Sequence, residues 1–517
     1  MKNETRTTNI TKNVFAVVVT QILTLLFAFG NRTVFIHLLG KEYLGIDGLF
    51  TSILTIFSLA ELGIGHALIF SLYAPIANND TPKAQQYLTL YKKAYHCIFS
   101  VILVAGLLLM PFLKDIVNAD IDSLGINIYI VYILFLLNTL SSYILAYRQA
   151  VLVVKQRQRI VSVWQTAGKL LVYLLECLVL LASGSYYIFL AIRVIGNYFI
   201  AIKISSIAKK RYPELCETSS KSLSKDEIKR ISKNVYALFI RRVGGVVLAS
   251  TDNIIINKYI SLSMVGVYSN YVLIIKSIQT ITVQMMSAMT ASIGNFVATK
   301  NEEQTEKAFN LYTFITYLVY GTCSICFILL VNRFITVLWG SSYTLSRFAL
   351  YLLVLEFFFY GYQSAINVFR DTTGLFEQGK YRNLFSASLN VVVSILLVQF
   401  MGIEGVILGT IFSRVLISSW YDPYILYKHL FRKRPFLYYY RLISYILCVF
   451  SVAGLLDFIT RNINYNISGL LYCTTICLII PIILLAFYIK SMECKELIIR
   501  CKKIIQNQKN ECNYKSK

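Results

Sequence analysis

The chain has 517 residues, 56% of them hydrophobic, and a formal net charge of +24. That apolar content excludes a soluble fold and a disordered chain, and runs of roughly 18 or more apolar residues recur from end to end, as in an integral α-helical membrane protein. The ~10-residue alternating segments of a β-barrel are absent, and the basic excess lies in alternate loops, the pattern of membrane topology and not of nucleic-acid binding.

Fourteen spans are expected, at about 14–39, 47–73, 87–112, 126–151, 161–183, 186–208, 234–258, 263–293, 307–331, 345–370, 381–401, 403–428, 436–457 and 467–490. A short basic tail (Lys2, Arg6, Lys12) precedes them. The first run, from Val14, is too long for a cleavable signal peptide and leads straight into the second. A polar turn, Gly40-Lys41-Glu42-Tyr43, joins these two spans, and Arg32 and Glu61 lie inside them. A charge at the bilayer centre costs roughly 2.5–3.5 kcal/mol on insertion scales, so such residues line a wet pathway or pair with one another. That points to a transporter with an anionic cargo, in which Arg32 and Glu61, on adjacent helices, are candidate partners.

The seventh span is marginal, because it carries Arg241, Arg242 and Asp252. Fourteen spans with both termini in the cytoplasm put 35 Lys and Arg on inside segments and 6 outside. One missed or invented helix would scramble that segregation. The longest inside loop, 209–233, is expected to start extended around Pro213 and to end in a short helix, with Ser224 as N-cap and Glu227 completing a capping box. Outside loops are short.

A repeat is visible at an offset of 221 residues. Asn31-Arg32-Thr33-Val34 aligns with Asp252-Asn253-Ile254-Ile255, Leu44-Gly45-Ile46 with Val265-Gly266-Val267, and Arg193 with Arg414. Six helices separate the copies, so both enter the membrane in the same sense, as parallel repeats around a central cleft. Eleven cysteines are scattered. Cys323 and Cys326 have metal-like spacing without a second pair near them in sequence, Cys473 and Cys477 share a helix face, and all read as packing residues. His37, His66, His96 and His429 show no ligand spacing, so no metal site is expected.

NRTVFIHLLGKEYLGIDGLF, SLAELGIGHALIFSLYAPIA and STDNIIINKYISLSMVGVYSNYVLI, with MGIEGVILGT and SWYDPYILY further on, resemble the polysaccharide-biosynthesis (O-antigen and capsule) flippases. These belong to the multidrug/oligosaccharidyl-lipid/polysaccharide (MOP) exporter superfamily. The resemblance covers about 14–430. It implies an all-α membrane fold of two six-helix lobes, 1–208 and 234–430, joined by the linker 209–233, around a central cavity. Two further helices (431–490) and a basic cytoplasmic tail (491–517) follow. It also implies a bacterial cytoplasmic-membrane protein that moves undecaprenyl-pyrophosphate-linked oligosaccharide by alternating access. Membrane lipids, a polysaccharide polymerase and the chain-length machinery are the implied partners. No cofactor is expected, and no GxxxxGK[ST] loop is present.

A diphosphate crossing a bilayer needs fixed cations to replace its hydration. On that reading Arg32, about eight residues below the outer end of the first span, and Lys276, near mid-bilayer, are the first substrate-binding candidates, followed by the repeat-related Arg193 and Arg414 and by Arg241. Asp252, Glu61 and Glu356 are coupling or gating candidates. Lys169 and Glu176, seven apart on the fifth span, are a candidate internal pair. The rival readings are a cation-coupled multidrug antiporter of the same superfamily, which would favour an acidic cavity, and a membrane glycosyltransferase or polymerase. The latter would need a sizeable soluble catalytic loop or domain; the outside loops run to about a dozen residues, and the inside linker 209–233 lacks a DxD motif.

Overall fold

Every apolar run folds as helix, because inside a bilayer each backbone N–H and C=O must be bonded within its own segment or a closed barrel. The computed structural model describes residues 6–119, 124–217, 219, 221–373, 375, 379, 381–500 and 502, with side chains described at all of these but 6–20, 241, 285, 287–289, 291, 292 and 298. The chain runs α1 (Arg6–Leu39), α2 (Lys41–Phe57), α3 (Ile64–Ala77), α4 (Thr81–Leu109), α5 (Leu113–Ile116), α6 (Ile128–Leu140) and α7 (Ala146–Val154). Next come α8 (Gln158–Ser183), α9 (Tyr186–Arg211), α10 (Pro213–Cys216), α11 (Lys225–Tyr259), α12 (Leu262–Thr299), α13 (Glu302–Trp339) and α14 (Arg347–Thr373). The last are α15 (Arg382–Met401), α16 (Ile403–Ser413), α17 (Ser419–Leu426), α18 (Phe436–Thr460), α19 (Ile467–Cys477) and α20 (Ile480–Phe487). Two π-helical turns, Arg414–Ser418 and Tyr427–Phe431, flank α17.

Eleven segments among the described residues are long and apolar enough to cross a membrane. The other three expected spans fall on α6 with α7, on α11 and on α12. Phe400 is 84% exposed and Leu478 75%; apolar side chains of that size left open along a helix suit acyl chains. Buried hydroxyls are satisfied locally, as where Thr313 and Thr316 donate to the carbonyls of Phe309 and Tyr312 one turn back.

Contacts divide the chain into two compact units, Met1–Asn270 with Tyr381–Val406, and Tyr271–Lys380 with Ile407–Lys517. In the first unit α11 packs along α2 and α15, and α8 lies between α1 and α9. In the second, α13 is the hub, contacting α14, α18, α19 and α20. Its inner surface carries rings: Tyr317 stacks on Tyr445 at 4.0 Å and Phe309 meets Phe369 edge-on at 5.1 Å. One cysteine of each pair, Cys326 of α13 and Cys477 of α19, lies on helices that touch. Among the described residues no cluster suited to a metal forms.

The second span is interrupted. After α2 a 3₁₀ turn, Ser58–Glu61, leads to Gly63 at φ +88°, a left-handed backbone that glycine adopts without strain. A side chain there would also press on the Val235 carbonyl and Leu238 of α11, 2.8 and 2.9 Å away.

The 221-residue repeat has a counterpart in space. A Cβ on Gly45 would strike the Leu262 carbonyl, and a Cβ on Gly266 would strike the Lys41 carbonyl. Adding 221 to 45 gives 266, and to 41 gives 262, so the two clashes are one contact seen from its two sides. Ser263 donates to Glu42, its own repeat mate, at 3.3 Å. Arg32 donates to Ser269, while its mate Asn253 donates to the Gly48 carbonyl, Gly48 being the mate of Ser269. The N-termini of α2 and α12 therefore cross about a local pseudo-twofold axis, both starting from the same side. Two glycines at the crossing allow backbone to approach backbone.

The 209–233 loop does not begin extended, because the short helix α10 starts at Pro213, but it ends as its sequence indicates. Ser224 caps α11, its hydroxyl accepting from the Glu227 amide at 3.3 Å while Glu227 accepts from the Ser224 amide at 3.1 Å. The helix is not short, however; it continues unbroken for 35 residues into the seventh span, since nothing between Lys225 and Tyr259 stops it. Lys83 of α4 lies 2.7 Å from the Glu227 carboxylate and, with Ser224, holds that carboxyl at about 2 against an ordinary 4.5. A depressed carboxyl contributes its stabilisation in full above the unfolded value and loses it as the pH falls toward the folded one. Amide protection in the first turn of α11, measured by hydrogen exchange, should hold at pH 5 and fail between about pH 4.5 and 2. In Glu227→Gln that pH dependence should vanish.

Candidate functional site

In the first unit a chain of charged and amide groups ties α1, α2, α8, α9 and α12 together. Glu176 of α8 is completely buried. It accepts from Arg193 of α9 at 2.9 Å and from the Asn31 amide of α1 at 2.7 Å. The same guanidinium reaches Asp47 of α2 at 2.7 Å and stands 4.8 Å from the Phe189 ring. Arg193 is thus neutralised by two carboxylates and lies over an aromatic ring.

Arg32, one residue along α1, is placed differently. Its Nε donates to Asn270 at 3.0 Å and its Nη2 to Ser269, both neutral. Among the described residues no carboxylate lies within ion-pair distance of it. Glu61, its expected partner, instead accepts from Tyr95 at 2.5 Å, because the break before Gly63 turns that carboxylate toward α4. Among the described residues the Asn270 amide nitrogen, whose oxygen accepts from Arg32, is buried without a hydrogen-bond partner, as is the Tyr186 hydroxyl of α9. A positive group with neutral hydrogen-bond partners stands here with donor capacity to spare, which an acceptor group would fill.

In the second unit Arg414, the repeat mate of Arg193, binds Glu356 of α14 at 2.6 Å and lies 5.6 Å from the Tyr360 ring. The counter-ions are not themselves repeat-related, since 47 and 176 plus 221 give Tyr268 and Leu397. Glu356 thus has a partner 58 residues away. Arg370 and Asp422 make a further buried pair at 2.5 Å, and Asp422 also accepts from Gln363 at 2.7 Å. Lys276 projects from α12 as an exposed side chain and makes no ion pair among the described residues.

Asp252 accepts from Tyr268 at 3.1 Å, one repeat from Asn31 and Asp47 respectively. Lys169 is exposed and does not pair with Glu176, whose oxygens are taken by Arg193 and Asn31. The Arg241 side chain lies outside the described residues, whereas Arg242 contacts His66 at 3.1 Å. Asp47, Asn31 and Asn270 belong to the site and were not singled out from the sequence. Asp47 carries a signal in hindsight, a carboxylate within an apolar run two residues after Gly45.

Residues 10–293 match the profile of the family described as polysaccharide biosynthesis protein, and residues 240–396 match the MatE profile. No curated protein sequence matches the chain significantly. Among solved structures, the lipid II flippase MurJ in an inward closed conformation is 14% identical over 92% of this chain and 98% of its own, with a TM-score of 0.64. An inward-facing multidrug resistance MATE family transporter of the MOP superfamily is 15% identical over 77% of this chain and 91% of its own, TM-score 0.56. The Vibrio cholerae MATE transporter VcmN is 12% identical over 83% and 100%, TM-score 0.52. The chain has the fold of these transporters.

Proposed function

Because the chain belongs to the polysaccharide biosynthesis protein family, we propose that it is a flippase carrying undecaprenyl-pyrophosphate-linked oligosaccharide repeat units across the bacterial cytoplasmic membrane, for capsule, O-antigen or exopolysaccharide assembly. Both termini lie in the cytoplasm. Transport proceeds by alternating access of the lobes 1–208 and 234–430, and the product passes to a polysaccharide polymerase with its chain-length partner.

The observation that carries this reading is the environment of Arg32. Arg193 and Arg414 are each matched by carboxylates, whereas Arg32 is held by neutral oxygens and keeps its charge for an anion. Lys276, likewise without an ion pair among the described residues, is the second candidate cation. Arg241 keeps its place as a candidate on sequence grounds. A diphosphate gains charge-assisted hydrogen bonds from such groups where it forfeits water.

Liposomes holding the purified protein and a fluorescent undecaprenyl-pyrophosphate oligosaccharide test it. A hydrogen bond to a charged group contributes roughly 1.5–3 kcal/mol, so Arg32→Ala or Lys276→Ala should slow flipping about 10- to 100-fold, with Lys276→Ala, whose side chain makes no ion pair among the described residues, leaving thermal stability near wild type. Near-normal flipping by both variants overturns the assignment. A multidrug antiporter is the second reading, favoured by the MatE match over 240–396. Against it, Asp47, Glu176, Glu356 and Asp422 are tied to arginines, leaving few acidic groups to attract a cationic drug. Export of cationic dyes with no flipping of the lipid-linked sugar would reverse that preference.

A further inference from the structure

We infer that a groove beside the first turns of α4 and α11 holds the headgroup of a cytoplasmic-leaflet phospholipid that carries hydrogen-bond donors next to its phosphate, as phosphatidylglycerol does. The groove encloses about 460 Å³, the size of a small-ligand site and well above a surface dimple. Phe70, Ala74 and Pro75 of α3 and Tyr87 of α4 make its apolar side; Lys83, Arg230, Asn78, Asn234 and Asp80 make its polar side.

The polar side is pre-arranged. The Asp80 carboxylate caps α4 by accepting from the Lys83 amide, and Lys83 is steered by Glu227. Glu227, Arg230 and Asn234 follow one another at helical spacing on one face of α11, so the pair that fixes Lys83 also aims Arg230 and Asn234 at the groove. Arg230 is exposed and is left without an ion pair among the described residues.

The apolar side indicates where the groove opens. Phe70 is 72% exposed and belongs to a span, so it faces acyl chains, while Arg230 and Lys83 lie at the basic, inside end of their helices. The Arg230 guanidinium and two amides suit a phosphodiester, while Lys83, held by Glu227, sets the edge of the groove. Asp80 disfavours a bare phosphate dianion but accepts hydrogen bonds from glycerol hydroxyls. A choline headgroup has no such donor to offer.

Native mass spectrometry of the protein released from nanodiscs of equal phosphatidylglycerol and phosphatidylcholine tests this independently of any transport assay. Phosphatidylglycerol should be retained preferentially. Arg230→Gln should lower its retention about fivefold, the equivalent of ~1 kcal/mol for one basic group at an anionic surface, and Arg230→Lys should restore most of it. Lys229→Gln, the same charge change on the neighbouring face, should leave retention unchanged. Equal retention of both lipids, or equal loss in Lys229→Gln and Arg230→Gln, overturns the site.

Discussion

Arg193→Ala should destabilise the helices around it and not merely slow transport. The substitution leaves Glu176, with no exposure at all, facing only the Asn31 amide, and it releases Asp47 as well. Removing one partner of a buried ion pair costs roughly 3–5 kcal/mol, because the remaining charge keeps its desolvation without compensation. Detergent-solubilised Arg193→Ala should therefore unfold at a clearly lower temperature than wild type, with poor insertion in cells. Adding Glu176→Gln should recover a large part of the loss, since the amide removes the stranded charge and still accepts from Asn31. A wild-type melting curve for Arg193→Ala alone would show that the pair does not hold α8 to α9.

The second large effect belongs to the α2–α12 crossing. Even the methyl of Gly45→Ala falls on the Leu262 carbonyl, and that of Gly266→Ala on the Lys41 carbonyl, and neither backbone can swing aside as a flexible side chain can. Overpacking of this kind costs about 1–3 kcal/mol. Reciprocity adds a sharper expectation: the two single variants should be destabilised by similar amounts. The double variant should lose less than their sum, because one widening of the crossing relieves both clashes. Thermal unfolding of the three proteins measures this, and strict additivity would mean the two sites do not share a contact.

Much of the architecture was readable from local rules. Hydropathy placed the helices, and the capping box at Ser224 and Glu227 was legible because both halves lie within four residues. The repeat was legible as a register although few identities support it. The counter-ions were not. Arg193 and Arg414 stand out as charges within apolar runs, but Asp47 is 146 residues from Arg193 and Glu356 is 58 from Arg414. Helical periodicity says which residues share a face of one helix; it does not say which helix docks there. The pairing of Lys169 with Glu176 failed for that reason. Arg32 with Glu61 failed because the 3₁₀ turn before Gly63 rotates the carboxylate away, and the Glu-Leu-Gly-Ile-Gly run at 61–65 was the unread warning.

The α2–α12 crossing ties the two copies together as sequences as well as folds. Residues 41–48 are at once lock and key for 262–269, so neither hairpin is free to drift alone. Inserting one residue in either turn would misalign both at once. Chimeras that import a single copy from a distant relative should therefore misassemble, whereas those that exchange both copies together should survive.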